Sequence, residues 1–304
     1  RGSVEMNFKI WFDAVRLKFL PQGIFPVILG SAVAWYSVGV FNLHYFFLVF
    51  IAMTLVQFGL TMLNDIQDYQ LGTDGSSTSE KNPYSGGSGV LVDGAINSKE
   101  MLIVVFIFYL CALLIGLYLT IKTGLPLFYL IIVGFFLSIF YSAPPLRLAY
   151  RGFGELAMLI GYGPIITLGA YYVQVNSFAT QAFLAGLVPG ILMWAMIIIN
   201  EIPDYKEDKR AKKKNLVVRI GRKKGLNAFI LSVGFIFLFI TSMSLLGVFP
   251  LLSLISLLSG IFAINSVRYL RKYYLNKDKV FLANKEMVKL YSSTVLLFSL
   301  GFLI

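Results

Sequence analysis

The stretch NDIQDYQLGTD, residues 64–74, puts three carboxylates into eleven residues. It follows YFFLVFIAMTLVQFGLTML, residues 45–63, an apolar run close to the roughly 20 residues that cross a bilayer as a helix. Carboxylates are among the groups that hydrocarbon tolerates least. The span is therefore expected to end at a membrane face, with its acids placed there for a purpose. Asn64 and Asp68 are four residues apart, so on a helix they share one face, one turn above the other.

The rest of the chain has the composition of a membrane protein, with 58% hydrophobic and 13% charged residues against about 45–50% and 25% in soluble domains. Apolar runs and their punctuation predict an all-α, multi-pass fold with nine spans, near residues 17–40, 45–66, 100–121, 125–143, 153–173, 180–203, 226–246, 249–268 and 287–304. RGSVE, ahead of Met6, resembles an expression scar, and residues 6–304 read as a single integral domain.

The net charge of +11 is not a nucleic-acid signal, because its distribution follows the predicted spans. Of 26 Lys and Arg, all but Lys122 fall on the N-terminal segment, on every second connection or on the adjoining span ends. The positive-inside rule then puts the N-terminus and those connections in the cytoplasm of a cell-membrane protein. All fifteen Asp and Glu lie on the same side. Polar chemistry is expected at one face only.

Cys111 lies in an apolar run as lipid-facing or core filler, and His44 sits alone in a short outer turn. The inner connection at 67–98 is long and rich in Gly and Ser, and its PYSGGSGVL, 83–91, can present backbone amides to an anion. Asn97 and Glu100 form a capping-box pattern at the start of the third span.

A second acidic cluster closes the sixth span. NEIPDYKEDKRAKKKN, residues 200–215, repeats the first pattern, with Asn200, Asp204 and Asp208 at four-residue steps. Each cluster alone also reads as a solvated helix end, with Asp208 pairing with Lys212. Two matched clusters on one side point further. Carboxylates one turn apart repel, and a cation between them reverses the sign. Hard oxygen donors without Cys or His suit Mg²⁺ shared with a phosphorylated substrate rather than zinc. Asn64, Asp68, Asp204 and Asp208 are the candidate ligands, with Asp65 and Asp74 nearby.

A third element, YSAPPLRLAYRGFGE, residues 141–155, carries Arg147 and Arg151, whose paired donors suit phosphate oxygens. Arg151 reads equally as an inside-positive anchor. Lys209, next to Asp208, can reach a phosphate, while KRAKKKN is mainly a topology signal that also attracts lipid headgroups.

In this order the three elements resemble the UbiA superfamily of intramembrane prenyltransferases. NDIQDYQLGTD is similar to its first aspartate-rich motif, NEIPDYKEDKRAKKKNLVVRIG to its second, and YSAPPLRLAYRGFGE to its tyrosine-containing loop; the flavour is closest to 1,4-dihydroxy-2-naphthoate prenyltransferases. Two departures stand out: Gly72 occupies a position where many relatives have Asp, and DKRAKKKNL lacks the glycine of DxxAGKRTL.

The resemblance implies nine helices around a central cavity, capped by cytoplasmic loops, with Mg²⁺ bridging protein and an isoprenyl diphosphate. It also implies transfer of the prenyl group to a hydrophobic, aromatic acceptor. Tyr141 is then a candidate cavity aromatic. A non-aromatic lipid alcohol is the alternative acceptor, and an ion-coupled transporter the alternative of another class.

Overall fold

The structure, a computed structural model, describes residues 2–72 and 87–304, with side chains from residue 8 onward. Asp74 and the first four residues of the glycine-rich 83–91 segment lie outside the described residues. Among the described residues every regular element is a helix. In chain order these are α1 (Gly2–Val15), α2 (Leu20–Val38), α3 (Leu43–Gln70), α4 (Ser98–Thr123), α5 (Leu125–Phe140), α6 (Leu148–Arg151), α7 (Gly154–Val175), α8 (Thr180–Arg210), α9 (Leu216–Ile220), α10 (Arg222–Leu245), α11 (Leu251–Tyr273) and α12 (Phe281–Leu300).

Seven helical segments among the described residues are long and apolar enough to cross a membrane. The nine-span expectation differs at two places. The fourth span shrinks to the 16 residues of α5, because the chain turns at Tyr141 ahead of Pro144 and Pro145. The last span begins earlier than expected, in α12, whose first turns carry Asn284, Lys285, Glu286 and Lys289.

The two motif helices are longer than a bilayer needs. At 28 and 31 residues, α3 and α8 are about 42 and 46 Å long against a hydrocarbon core of about 30 Å. The sixth span was expected to stop near Pro203, yet α8 continues through it to Arg210. Proline removes one hydrogen bond to the preceding turn and can kink a helix. Here Ile199 and Pro203 are buried in the packed bundle, so tertiary packing carries the helix past the break. Asn200, Asp204 and Asp208 thereby remain on one helical face.

Helix α8 is the central element, with 67% of its apolar window buried, against 22% for α4 and 28% for α10. The outer helices keep Leu, Ile and Phe exposed, as at Phe106, Leu231 and Leu238, as a lipid-facing surface requires. Helix α7 crosses α8 at backbone distance. A Cβ on Gly190 would stand 2.5 Å from the Leu159 carbonyl oxygen, and one on Gly163 would stand 2.5 Å from that of Gly186. Small residues spaced four apart let membrane helices approach in this way.

The Asn97–Glu100 capping box opens α4 as expected, Asn97 accepting from Lys99 N and donating from its own N–H to Glu100. Cys111 is exposed on α4, and the His44 ring lies against Tyr45 and Tyr118.

Candidate active site

The ends of α3 and α8 face one another across a polar cavity. Asn64, Asp68, Asn200, Asp204, Asp208 and Tyr141 all line it, so both acidic clusters meet in one space. Asn64 Nδ2 donates to Asp68 Oδ2 at 2.9 Å, as their four-residue spacing allows. Asp65, turned about 100° round the helix from Asn64, does other work. Its carboxylate is 2% exposed, pairs with Arg16 Nη1 at 3.2 Å and accepts from Ser88 N at 2.9 Å, tying the N-terminal segment and the long loop to α3.

Asn200 Oδ1 accepts from the buried Asn284 Nδ2 at 2.6 Å, which joins α8 to α12. Asn284 precedes the span expected at 287–304, and no pattern around it pointed to this place.

The other cavity wall comes from two short segments folded over the bundle end. Tyr150, in α6, donates its hydroxyl to Asp68 Oδ1 at 2.8 Å, and Lys213 Nζ lies 4.9 Å from the Tyr150 ring centroid. Lys213 also pairs with Asp208 Oδ1 at 3.3 Å, while Asn215 Nδ2 donates to Asp208 Oδ2 at 2.6 Å. Asp208 was expected to pair with Lys212; its partner is Lys213.

The backbone explains the exchange. At the end of α8, Lys212 N donates to Lys209 O and Lys213 N to Asp208 O, with Lys212 in the left-handed region at φ 58°. This is a Schellman ending. It turns the chain back so that Lys213 returns over Asp208. Lys212 occupies the turn position that usually selects glycine, in the segment where DKRAKKKNL departs from the glycine-bearing pattern.

The two segments are joined by Lys214 N, which donates to Tyr150 O at 2.9 Å. Gly152, at φ 84°, leaves room for the contact, since a Cβ there would stand 2.7 Å from Lys214 O. Beneath them Glu155 accepts from Leu216 N and Glu201 from Val217 N, anchoring the first turn of α9.

The cavity is lined by more carboxylates than cations. Arg16 and Lys213 are the cations that line it. Burial works against the Lys213 ammonium, but the charges of Asp68 and Asp208 and the phenols of Tyr150 and Tyr141 outweigh it, holding its pKa well above the ordinary lysine value. Lys213 is therefore a fixed positive charge between the two acidic clusters.

Three residues expected to grip phosphate do not line the cavity. Arg151 Nη2 donates to Pro145 O at 2.9 Å, and Lys209 Nζ stands 5.8 Å from the Tyr205 ring centroid. Arg147 opens α6 with φ 46°, its Nε buried without a hydrogen-bond partner.

Among the described residues no three His, Cys, Asp or Glu gather into a ready-made metal cage. The donors that line the cavity, the oxygens of Asn64, Asp68, Asp204 and Asp208, are nonetheless hard ligands of the kind that bind Mg²⁺ one or two at a time, with phosphate and water completing its shell. They fit Mg²⁺ as a shared ion and do not fit zinc.

Below the polar cavity lies an apolar chamber between α3, α4, α5 and α7. The two share Gln57, Leu60, Tyr141, Met158 and Tyr162 as a common wall. Tyr162 donates to Gln57 Oε1 at 2.6 Å across it. A charged compartment thus adjoins a greasy one.

The sequence that builds this architecture matches a known family model, that of the UbiA prenyltransferase family, over residues 23–292. The chain belongs to the UbiA prenyltransferase family. It is a prenyltransferase, and the transporter reading falls away. The chain is 26% identical to the 2-carboxy-1,4-naphthoquinone phytyltransferase of Synechocystis over 90% of this chain and 86% of that enzyme. It is also 26% identical to the 1,4-dihydroxy-2-naphthoate octaprenyltransferase of Bacillus subtilis, over 80% and 76%. In fold it is similar to a UbiA homolog from Archaeoglobus fulgidus bound to DMAPP and Mg²⁺, with TM-score 0.65, 13% identity, and 95% and 99% of the two chains covered. The same holds for a digeranylgeranylglyceryl phosphate synthase, with TM-score 0.66, 18% identity, and 98% and 99% covered.

Proposed function

We propose that this prenyltransferase moves the prenyl group of an allylic isoprenyl diphosphate onto an aromatic, naphthoate-type acceptor in quinone synthesis. The observation that carries the proposal is that both acidic clusters line one cavity, which adjoins an apolar chamber across the shared residues Tyr141, Gln57 and Tyr162. An allylic diphosphate has that division: a doubly phosphorylated head and a hydrocarbon tail worth about 0.8 kcal/mol per buried methylene. The sequence relatives with naphthoate-type acceptors favour the aromatic acceptor over a lipid alcohol. The glyceryl-phosphate synthase is a likeness of fold alone.

In this reading Asn64, Asp68, Asp204 and Asp208 would hold Mg²⁺, which when bound would supply the charge neutralisation that makes diphosphate a leaving group. Asn200, fixed by Asn284, orients a diphosphate oxygen from the same helical face. Arg16 and Lys213 take the phosphate-gripping role first assigned to Arg147, Arg151 and Lys209. The allylic C–O bond breaks with its electrons leaving on the diphosphate, an acceptor ring carbon supplies the new pair, and the ring regains its aromaticity by releasing what that carbon carried, a proton or a carboxyl group as CO2. Tyr141 and Tyr162 stand between the compartments, where a desolvated ring face stabilises carbocation character by about 2 kcal/mol. The apolar walls exclude the water that would otherwise capture the cation.

We further place nine crossings in the bilayer, the seven long helices together with α5 and α12, with the N-terminus and the cavity mouth cytoplasmic. The distribution of Lys and Arg supports this orientation.

The test is product mass after incubating membranes with labelled prenyl diphosphates and a panel of acceptors. Prenylated naphthoate, absent with EDTA and restored by Mg²⁺, is expected. Asp68→Asn and Asp204→Asn should each abolish transfer while leaving a monodisperse, helical protein in detergent. Full turnover by the double variant would rule out the assignment.

A further inference from the structure

A groove between α10 and α11 lies outside the active site and is formed for an amphiphile. Much of its lining is apolar, with Val233 on α10 and Ile264 and Val267 on α11. Ile264 is 61% exposed, and a Cβ on Gly234 would meet nothing within 4 Å, so the two helices leave an open channel there. One end is cationic. Arg268, Arg271 and Lys272 line it within two turns of α11, and no carboxylate lines the groove. From Ile264 to Arg271 the helix rises about 10 Å, so the change from apolar to cationic is abrupt.

Position relative to the membrane comes from the neighbouring rings. Tyr269 and Tyr273 stack with centroids 6.5 Å apart, and Lys272 lies 5.2 Å from the Tyr273 centroid. Lys223, in the first turn of α10, lies 5.9 Å from the Tyr274 ring and brings another cation to the same level. Tyrosine and lysine at a helix end mark the headgroup zone. A basic site between membrane helices, at that depth, suits an anionic lipid headgroup.

We infer that the α10–α11 groove is a binding site for an anionic glycerophospholipid, its phosphate held by Arg268 and Arg271 and its acyl chain lying over Gly234 and Ile264. The charge complementarity selects this occupant over a second protein helix, which would leave three cations against hydrocarbon. The site is separate from catalysis: its residues touch neither cavity compartment.

The experiment uses the full chain in detergent, titrated with phosphatidylglycerol, phosphatidylcholine or inorganic phosphate, read by thermal denaturation and by lipid retention in native mass spectrometry. Phosphatidylglycerol should be retained and raise the midpoint, while phosphatidylcholine and inorganic phosphate should not. The exposed pair change Arg268→Gln with Arg271→Gln should weaken retention roughly 30-fold, at about 1 kcal/mol per cation. Gly234→Leu, which fills the channel and keeps every charge, should also release the lipid. Lys99→Gln, a cation at the start of α4, should change nothing. Equal retention of both lipids, protection by phosphate alone, or losses no greater than in Lys99→Gln would each overturn the site. So would retention that survives both groove variants.

Discussion

At the scale of the residue, Lys213 carries most of what the cavity adds to the acidic motifs. It pairs with Asp208 and lies over Tyr150, which in turn donates to Asp68, so one ammonium links both motifs through two contacts. Truncating one member of a buried, hydrogen-bonded charge pair costs about 2–5 kcal/mol. Lys213→Met should therefore lower kcat/KM for the prenyl diphosphate by about 30-fold or more, and weaken diphosphate binding measured calorimetrically without acceptor. Because the folded pKa lies above the ordinary lysine value, the stability contributed by Lys213 is complete below the unfolded pKa and is lost only as pH rises through the folded one. The difference in thermal midpoint between wild type and Lys213→Met in the metal-free protein should stay flat between about pH 6 and pH 10; a steady decline across that window would contradict a charged Lys213 held by Asp208. Asn64, Asp68, Asp204 and Asp208 were legible because four-residue spacing survives in any helix. Lys213 was not, since a lysine within KRAKKKN looks like every other until the turn that reverses it is known.

At the scale of the element, two local features decide how the site is held. The end of α8 depends on Lys212 at φ 58°, a region that costs a residue with a Cβ about 1–2 kcal/mol. Lys212→Gly should raise the unfolding free energy by about 1 kcal/mol, less the entropy that glycine adds to the unfolded chain, and leave kcat unchanged; a lower thermal midpoint would refute the strain argument. The α7–α8 crossing depends on bare backbone at Gly190, where any side chain meets the Leu159 carbonyl. Overpacking of this kind costs about 1–3 kcal/mol or more, so Gly190→Leu should lower the melting temperature of the detergent-solubilised protein by several degrees, visible in a circular dichroism scan. Helix identity and the capping box at Asn97 were readable from pattern. The continuation of α8 through Pro203 was not, because proline signals a break and only the packing around Ile199 and Pro203 overrides it.

At the scale of the whole molecule, the bundle divides one internal space into a charged mouth and an apolar store, and the division assigns different variables to different helices. In the proposed reaction, residues at the ends of α3 and α8 would govern whether a diphosphate departs, and residues lining the chamber between α3, α4, α5 and α7 would govern how much tail fits. This division was invisible in the sequence, whose apolar runs do not distinguish lipid-facing from chamber-facing side chains. Gly169 offers a direct handle on it. It lines the chamber, and a Cβ there would meet no atom within 4 Å, so a larger side chain enters empty space without straining the backbone. Gly169→Leu should leave transfer from a five- or ten-carbon diphosphate within about two-fold of wild type, because a volume change remote from the head leaves uniform binding of short tails intact. It should lower kcat/KM for the longest diphosphates by ten-fold or more, since each displaced methylene forfeits about 0.8 kcal/mol. Competition among mixed chain lengths, read as a product mass distribution, would reveal the shift. An unchanged distribution would mean that the tail lies outside this chamber.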